Sequence, residues 1–397
     1  MNQTLKRYLN NEYKKFGPPS WRILESSQGA RVCINGEWKI TMCSNNYLGF
    51  ADRPEIKKVA MQALEKYGTG TVAARSLSGS TTLHEELERE LANFKGTEAA
   101  LVFNSGFVTN TGVIPALVGK GDAIFSDEIN HGSIVDGSRL SGAEKFKYKH
   151  GDTNHLEQLL KTNTNYQKKM ISTDAVFSMD GDIAPINEIV RLCEVYDAFL
   201  MVDEAHSTGV LGKNGRGAIE HLGLEGKVDV IMGTLGKALG AVGGYIVGDK
   251  ELIAYLARTA RSFLLTTSLP PACIASALAG LRYLRAHPEL IERLWQNTNF
   301  YKKSLSDLGF NTMGSKTPIV PIFIGDDAIA QKFSQRLYEE GLFSTKIGSP
   351  YVPVGTSRIR TIITAVHTQD DLEESVSILK KVGEELEIIP NQVTLST

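Results

Sequence analysis

Apolar residues along the chain follow two spacings in alternation. Short apolar runs, typical of buried strands, are separated by stretches in which apolar residues recur every three or four positions, as on one face of a helix. The helical stretches include Leu83–Phe94, which ends near Gly96, and Ile186–Tyr196. The apolar runs are Ala99–Phe103, Ala123–Phe125, Met170–Ser172, Phe199–Val202, Val228–Met232 and Gly244–Val247. The alternation predicts an α/β fold in which helices cover a large, mainly parallel sheet.

The pattern changes after a long helical stretch around Ala272–His287. Strand patterns follow at Ile319–Ile324 and Ile359–Ile363, with an amphipathic helix between them near Ala328–Glu340 and a final helix from Asp370 to about Leu386. These elements predict a smaller α+β domain at the C-terminus. The predicted division is an N-terminal arm with a small-domain segment (residues 1–45), a large domain (46–287) and a small C-terminal domain (288–397).

Composition and charge narrow the class of protein. At 397 residues and 42% hydrophobic content the chain can bury a large core. Its 43 Lys and Arg against 45 Asp and Glu give no global field that would attract nucleic acid or an anionic membrane. The cysteines have no metal-ligand spacing, the N-terminus has no signal-peptide core, and no stretch reaches the ~18 apolar residues of a membrane span. We therefore predict a cytoplasmic enzyme that binds no metal.

One lysine and one aspartate form the strongest chemical signal. Lys237 lies in the glycine-rich run Gly233–Gly240, and Asp203 ends an apolar strand 34 residues upstream, within Asp203-Glu-Ala-His206. A lysine amine can form a Schiff base with the aldehyde of pyridoxal phosphate (PLP), which also needs an acid beside its ring nitrogen. Polar residues that follow a parallel strand lie at the edge where α/β folds bind ligands. Alone, each residue could be a surface lysine or a helix-capping carboxylate; together they predict a PLP site, with His206 beside it.

Other strand ends offer groups for the phosphate and the ring of such a cofactor. Asn104-Ser-Gly-Phe107 follows a strand and opens a helix, where free backbone N–H groups and the helix dipole favour an anion. Thr234 adds a hydroxyl three residues before Lys237. His131 and Ser178 each follow a predicted strand, so both side chains could reach the same pocket. Each of these residues has an ordinary alternative as a capping or packed residue.

Two glycine motifs resemble nucleotide sites but lack the required context. Gly68-Thr-Gly70-Thr-Val-Ala73 matches GxGxxA, yet it follows a helical pattern instead of a strand. Gly236-Lys237 lacks the glycine at position 231 and the Ser or Thr at position 238 that a P-loop requires. Neither a dinucleotide site nor a triphosphate site is predicted.

Seven sequence blocks, in a fixed order, span nearly the whole chain. They are Ser44-Asn-Asn-Tyr-Leu-Gly49, Asn130-His-Gly-Ser-Ile134, Phe177-Ser-Met-Asp-Gly181, Met201-Val-Asp-Glu-Ala-His206, Gly233-Thr-Leu-Gly-Lys237, Thr267-Ser-Leu-Pro-Pro271 and Arg358-Ile-Arg-Thr361. In this order they resemble the α-oxoamine synthase family of PLP enzymes, which adopt the fold type I aminotransferase architecture. Seven ordered blocks are far more specific than any one of them.

The resemblance implies a role for each matching residue around the cofactor ring. Lys237 forms the Schiff base, Asp203 pairs with the pyridine nitrogen, and His131 stacks on the ring. His206 contacts the phenolic oxygen, and Ser178 assists at that oxygen or at the substrate carboxylate. Lys237, His131, Asp203 and His206 are thus the implied catalytic set.

The resemblance also implies residues for the phosphate and for the second subunit. The phosphate would be held by Thr234 and by backbone groups of Ser105, Gly106 and Phe107. Thr266 and Thr267 match positions that reach the phosphate from the neighbouring subunit. A homodimer with shared active sites follows from that match.

Three residues match the substrate-binding positions of the family. Asn45 and Arg360 match the residues that bind the amino-acid carboxylate, which a guanidinium suits through two parallel hydrogen bonds. Arg360 is preferred to Arg358 because the match is to the second arginine; a surface arginine pair on an edge strand is the alternative. Ala74 lies in a segment resembling one that lines the pocket, and its small side chain could admit an amino acid larger than glycine. The neighbouring Arg75 departs from the Gly-Ser-Gly pattern of the biotin-pathway members, which weighs against a pimeloyl-type acyl group.

The implied reaction joins a small amino acid to an acyl-CoA and releases CoA. The freed Lys237 amine removes a Cα proton as general base, and the resulting carbanion attacks the thioester. Most family members then lose carbon dioxide. Our leading interpretation is a glycine C-acetyltransferase-like condensation, favoured by Arg358-Ile-Arg-Thr361 and Gly233–Lys237. The alternatives are serine palmitoyltransferase, which Thr267–Pro271 and Gly223–Lys227 also suit, and 8-amino-7-oxononanoate synthase.

Two interpretations from other classes stay open. A fold type I aminotransferase or lyase would use the same lysine and aspartate but would not consume acyl-CoA. A catalytically inactive partner subunit is disfavoured because Lys237 is present.

Overall fold

The computed structural model describes residues 1–16 and 21–390. Ahead of the large sheet it forms α1 (Gln3–Phe16), β1 (Arg31–Ile34), β2 (Glu37–Thr41), a 3₁₀ turn (Phe50–Asp52), α2 (Pro54–Tyr67) and α3 (Thr82–Lys95). β1 and β2 pair as an antiparallel hairpin whose two turn residues, Asn35 and Gly36, both have positive φ. This backbone conformation matches the twist of the flanking strands, so the hairpin closes in two residues.

Seven strands form the large sheet. They are β3 (Ala99–Phe103), β4 (Ala123–Asp127), β5 (Glu144–Tyr148), β6 (Lys169–Asp174), β7 (Phe199–Asp203), β8 (Val230–Thr234) and β9 (Gly244–Gly248). Their order is β3-β9-β8-β7-β6-β4-β5, and β9 is antiparallel to both of its neighbours while the other pairs are parallel. The predicted α/β fold with a mainly parallel sheet is confirmed. The sequence pattern missed β5, an edge strand in which charged and aromatic residues alternate.

Helices cover both faces of this sheet. They are α4 (Gly106–Leu117), α5 (Gly132–Ser141), α6 (Thr153–Thr162), α7 (Ile186–Tyr196), α8 (Ala218–Leu222), α9 (Lys250–Thr259), α10 (Arg261–Leu264) and α11 (Pro271–Ala286). Successive strand residues point to opposite faces. Ile171 and Leu200 therefore join one buried apolar cluster, whereas Met170 and Met201 join another on the other face. Burial on both faces explains why the central strands are continuous apolar runs.

The C-terminal elements form a smaller α+β unit, as predicted. They are α12 (Glu289–Asp307), β10 (Ile319–Gly325), α13 (Asp327–Glu339), β11 (Leu342–Phe343), β12 (Thr345–Ile347), β13 (Ser357–Ile362) and α14 (Gln369–Glu385). One sheet has the order β10-β13-β12, and a second sheet joins β11 to the N-terminal hairpin in the order β1-β2-β11. Ile40 of β2 accordingly packs in one apolar cluster with Val320 and Ile359. The N-terminal hairpin and the C-terminal unit therefore share one apolar core.

Polar residues end four parallel strands at one edge of the large sheet. Asp127, Asp174, Asp203 and Thr234 are the last residues of β4, β6, β7 and β8. Asp174 and Asp203 are directly paired in the strand register. Open α/β sheets bind their ligands at this edge. Among the described helices, none combines the length and the hydrophobicity needed to cross a bilayer.

Candidate active site

A cavity of about 180 Å³ lies at this edge of the sheet. It is lined by the predicted residues Gly106, Phe107, His131, Ser178, Asp203, His206, Thr234 and Lys237, and by Ser133, Asp174, Ala205 and Met232, which were not predicted. Lys237 also lines a second cavity of about 330 Å³, together with Asn45. The structure thus brings most of the predicted cofactor residues together around one lysine amine.

A larger cavity lies at the other edge of the sheet and contains none of the predicted site residues. Its volume is about 730 Å³, and Asp197, Asp229 and Asp249 are among its lining residues. These residues lie at the opposite edge of the sheet from Lys237, since Asp197 and Asp229 precede β7 and β8. None of the predicted site residues lines it, so size alone does not identify the active site.

The Lys237 side chain is buried in the loop that follows β8. Burial lowers the pKa of its amine to about 8, against the opposing attraction of Asp203 and Asp174. A lysine with its ordinary pKa would be almost fully protonated at neutral pH and hence not nucleophilic. Because burial favours the neutral amine, Lys237 is suited to attack an aldehyde.

The Asp203 carboxylate is buried and held by two donors. Asn110 of α4 donates to its Oδ2 at 2.8 Å, and the backbone N–H of Ala205 donates to its Oδ1 at 2.9 Å. Hydrogen bonds of this kind favour the charged form of a carboxylate. Asn110 also donates to the Ser133 hydroxyl at 2.9 Å, so the acid is tied to the start of α5.

His131 caps the start of α5 and forms a wall of the cavity. The backbone N–H of Ser133 donates to its Nδ1 at 3.2 Å, which leaves the proton of the neutral ring on Nε2. The backbone N–H of His131 donates to Asp174 Oδ2 at 2.7 Å. Burial lowers the pKa of the His131 imidazole. The ring is therefore neutral and fixed in orientation, as a stacking residue requires.

Asp174 is a second buried carboxyl in the same cavity, beside Asp203. Burial, and next the charge of Asp203, raise its pKa well above the ordinary value. Two carboxylates so close cannot both be ionised at low cost. Asp174 is the member of the pair whose pKa is raised, and Asp203, which has two donors, is the one suited to a protonated ring nitrogen.

The orientation of His206 is set by a tyrosine. The Tyr47 hydroxyl lies 2.8 Å from His206 Nδ1, and both side chains are buried. Burial raises the pKa of the Tyr47 hydroxyl, which therefore stays protonated and donates to Nδ1. Burial also lowers the pKa of His206 well below its ordinary value. The neutral ring is left with an N–H on Nε2, which can donate to an oxygen in the cavity.

The start of α4 offers the anion site that the sequence predicted. Ser105 is the N-cap, and its hydroxyl accepts from the Val108 amide at 3.2 Å, while the first helical amides have no carbonyl within the helix. A Cβ on Gly106 would lie 2.9 Å from the Met232 methyl, so a larger residue would crowd the approach to these amides. The Thr234 hydroxyl lies beside them but donates to the Gly243 carbonyl at 2.9 Å. Backbone amides are thus the available donors for a phosphate.

Arg360 lies on β13 of the smaller unit and reaches the large sheet. Its Nε donates to the Ser178 carbonyl at 2.5 Å, and its Nη2 donates to Asn45 Oδ1 at 3.2 Å. Burial lowers the pKa of the guanidinium. The neighbouring Arg358 instead forms an ion pair with Asp180. Arg360 is the arginine of this pair that stays available to a carboxylate ligand.

Five predicted residues do not line these cavities: Ser105 and Arg360, described above, and Thr266, Thr267 and Ala74. Thr266 is half-buried and Thr267 is exposed, and the Thr267 carbonyl accepts from the Asn104 side chain at 2.7 Å. Ala74 lies directly before the turn Arg75–Ser78. The predicted roles of Thr266 and Thr267 depend on a second subunit, and the roles of Thr266, Thr267 and Ala74 all stay predictions.

Tyr47, Asn110 and Asp174 were the functional residues that the sequence analysis missed. Tyr47 lies in a block that was recognised but given no role. Asp174 ends β6 as Asp203 ends β7, but the predicted strand stopped at Ser172, and Asn110 was hidden in an apolar helix. Asn110 could have been predicted as a polar residue isolated in an apolar helix, and Asp174 as the polar residue that ends a strand.

The residues present fit PLP. The cavity combines a buried amine, a carboxyl group held by two hydrogen-bond donors, the imidazole face of His131 and a helix N-terminus for a phosphate. An aldehyde, a ring nitrogen, an aromatic face and a phosphate are the groups that this cofactor presents to a protein. With PLP bound, the site gains an electron sink for carbanion chemistry.

Comparison with known proteins agrees with this assignment. A family model described as aminotransferase class I and II matches residues 37–379. The 8-amino-7-oxononanoate synthase of Symbiobacterium thermophilum is 50% identical over 92% of this chain and 94% of that protein, and 8-amino-7-oxononanoate synthase 1 of Bacillus subtilis is 47% identical over 97% and 98%. A solved serine palmitoyltransferase with its PLP internal aldimine superposes with a TM-score of 0.91 at 32% identity, covering 98% of each chain. The chain therefore belongs to the class I and II aminotransferase family and, within it, to the PLP-dependent α-oxoamine synthases, which are acyltransferases.

Proposed function

We propose that the chain makes 8-amino-7-oxononanoate by joining L-alanine to a seven-carbon acyl thioester that carries a terminal carboxylate. The observation that carries this proposal is the 50% identity over 92% of the chain to a protein of that name. The comparisons thus favour an alternative from the sequence analysis over its lead, the glycine C-acetyltransferase-like condensation. The substrates follow from the product, since its last two carbons and amino group correspond to decarboxylated alanine and its first seven carbons to the acyl group.

The bonds made and broken define the work of the protein. Alanine loses its Cα proton, a bond forms between Cα and the acyl carbon, the thiol leaves, and the amino-acid carboxylate departs as carbon dioxide. PLP held by these residues would supply an acceptor for the electron pair that the proton leaves behind. Lys237 is placed to receive that proton, because its amine is buried and its lowered pKa of about 8 suits a general base. Asp203, His131 and His206 hold the ring in place around that step.

Arg360 supports a carboxylate-bearing substrate. Its guanidinium is buried, and within the described part of the chain its bonds go to a carbonyl and an amide oxygen, both neutral. A buried cation is costly unless an anion accompanies it. An amino-acid carboxylate would supply that charge and accept two parallel hydrogen bonds. Asn45 is then a second neighbour of the same carboxylate.

Arg75 no longer weighs against the pimeloyl-type substrate. Its guanidinium forms two hydrogen bonds with the Glu88 carboxylate, at 2.8 and 3.0 Å, and its Nε donates to the Ser80 hydroxyl at 2.9 Å. Because these partners lie in the same chain, Arg75 has a structural role there, and its departure from the Gly-Ser-Gly pattern does not bear on the acyl group. Ala74, next to it, keeps its proposed role in admitting the alanine methyl group.

We also infer a homodimer. The backbone N–H of Ser268 donates to the Ala73 carbonyl at 3.0 Å, which joins the segments around Thr266–Ser268 and Val72–Leu77 into one surface. Val72 and Leu77 on this surface are 90% and 81% exposed. Contiguous exposed apolar residues are typical of protein interfaces. A second copy seated here would bring Thr266 and Thr267 to its partner's phosphate site. A cytoplasmic location stays a prediction.

The test is a matrix of amino acids against acyl-CoA chain lengths, read by thiol release and by product mass. Alanine with pimeloyl-CoA should give the fastest thiol release and the mass of 8-amino-7-oxononanoate. Preference for glycine with acetyl-CoA, or for serine with palmitoyl-CoA, would refute the proposal in favour of a named alternative. Absence of thiol release with every acyl-CoA, alongside amino-group transfer, would point to an aminotransferase.

A further inference from the structure

His150 lies two residues after β5 and joins two loops of the active site. Its Nδ1 is 3.1 Å from Asp127 Oδ1, and its Nε2 is 3.0 Å from Asp182 Oδ2. Asp127 ends β4 and begins the loop that carries His131. Asp182 closes the turn Phe177–Asp182 that follows β6. The imidazole is thus a bridge between the two loops on either side of the cofactor cavity.

The geometry of this bridge requires a charged imidazole. A neutral ring carries one N–H, whereas both ring nitrogens of His150 face carboxylate oxygens, which only accept. The Asp127 side chain is 1% exposed and is also held by the backbone N–H of Gly151 at 3.0 Å. Hydrogen bonds to Asp127 and then Asp182 raise the pKa of His150 to about 10. The residue is therefore a fixed cation between two anions at neutral pH.

The turn Phe177–Asp182 is held on its other side by the smaller unit. Its Gly181 carbonyl accepts from the Thr317 hydroxyl at 3.0 Å, and a Cβ on Gly181 would lie 2.3 Å from the Ile319 carbonyl. The Ser178 carbonyl of the same turn accepts from Arg360 Nε at 2.5 Å. The turn is therefore a rigid link between the His150 bridge and the arginine proposed to bind the amino-acid carboxylate.

We propose that His150 is a positioning residue for the amino-acid substrate, acting through the turn Phe177–Asp182 on the placement of the Arg360 guanidinium. The proposal rests on the proposed function only in naming an amino-acid carboxylate as the ligand of Arg360. Without the cation, Asp127 and Asp182 would face each other uncompensated. The turn, and with it the Ser178 carbonyl, would then shift away from the bridge.

The first experiment compares His150→Gln with wild-type holoenzyme in titrations with alanine, followed by the change in PLP absorbance and with no acyl-CoA present. A shift of the arginine should raise the apparent Kd for alanine by about tenfold to a hundredfold, the effect of a misplacement on the order of 1 Å. PLP content should stay near the wild-type value, and so should kcat at saturating alanine in a separate assay with acyl-CoA added. An unchanged Kd, or a loss of PLP that accompanies the weaker binding, would overturn the proposal.

Further variants test whether the weaker alanine binding comes from loss of the His150–Asp182 contact and not from a general effect of replacing a histidine. Asp182→Asn removes one anion and keeps the shape, so it should reproduce the weaker alanine binding, and the double variant with His150→Gln should be no worse than the more affected single variant. Additive losses would overturn the proposal. The exposed His221→Gln is the matched control and should bind alanine as the wild type does.

A second readout does not depend on the reaction. Amide hydrogen exchange in the turn Phe177–Asp182 of the protein without PLP should be faster in His150→Gln than in the wild type, because the attachment of the turn at Asp182 is lost. Equal exchange rates would overturn the proposal even if alanine binding weakened. Should wild-type enzyme fail to bind alanine at all, the proposed function fails, while this exchange measurement still decides the role of His150.

Discussion

Replacing Arg360 by lysine tests the substrate-carboxylate site most directly. Lysine keeps the positive charge but presents a point charge in place of a planar fork of donors. In the wild type, two donors of the fork are used by Ser178 and Asn45, at 2.5 and 3.2 Å. The substitution therefore separates the need for charge from the need for two parallel hydrogen bonds.

The magnitude follows from the bond that is lost. A hydrogen bond to a charged group contributes about 1.5–3 kcal/mol, which corresponds to roughly a tenfold to 150-fold increase in the Kd for alanine. Because the substitution also loses the bond to the Ser178 carbonyl, we expect the upper half of that range. PLP binding should be unaffected, since Arg360 does not line the cavity around the cofactor residues.

The assay is the alanine titration of holoenzyme, with circular dichroism and PLP content measured on the same samples. Arg282→Lys is the matched control, because Arg282 is a surface arginine that pairs with Glu90 far from β13 in the sequence. An Arg360→Lys enzyme that binds alanine as tightly as the wild type would refute the assignment of the carboxylate to Arg360.

The remaining predictions concern the cofactor cavity. PLP uptake by the apo protein should accelerate with rising pH and level off above a midpoint near the Lys237 pKa of about 8, because only the neutral amine attacks an aldehyde; a midpoint above about 10 in stopped-flow absorbance would contradict this. Asp203→Asn should lower kcat by about 10²–10⁴-fold, whereas Asp174→Asn, at a carboxyl whose raised pKa favours the neutral form, should keep activity within about fivefold; equal losses in steady-state kinetics would contradict this division of roles. Tyr47→Phe leaves His206 Nδ1 buried without its donor and should lower the free energy of unfolding by about 1–3 kcal/mol in denaturant titrations, and an unchanged value would show that the bond is dispensable.

The central strands and the residues at their ends were predictable because local pattern and fold agree there. β6, β7 and β8 are buried on both faces, so their sequences are continuous apolar runs, and the polar residue that ends each run marks the ligand edge. Asp203 was found by this reasoning, and Lys237 by the glycine-rich run that begins at the end of β8.

The parts that escaped prediction depend on partners distant in sequence. β5 is an edge strand with exposed charges, and the two-residue strand β11 exists only because β2 lies beside it. The Tyr47 hydroxyl meets His206 across 159 residues, and His150 meets Asp182 across 32. The spacing of apolar residues does not predict these contacts, because each one is fixed by how distant segments pack against each other.

The placement of β9 has a consequence for how the enzyme is made. β3 is at the edge of the large sheet, and its partner there is β9, which is about 140 residues later in the chain. A nascent chain that has left the ribosome only as far as Gly243 holds Lys237 and Asp203 but has no neighbour for β3, the strand that leads into the turn predicted to bind the phosphate. We therefore expect cofactor capture during synthesis to follow the emergence of β9, since a product that ends before β9 leaves β3 without its strand partner.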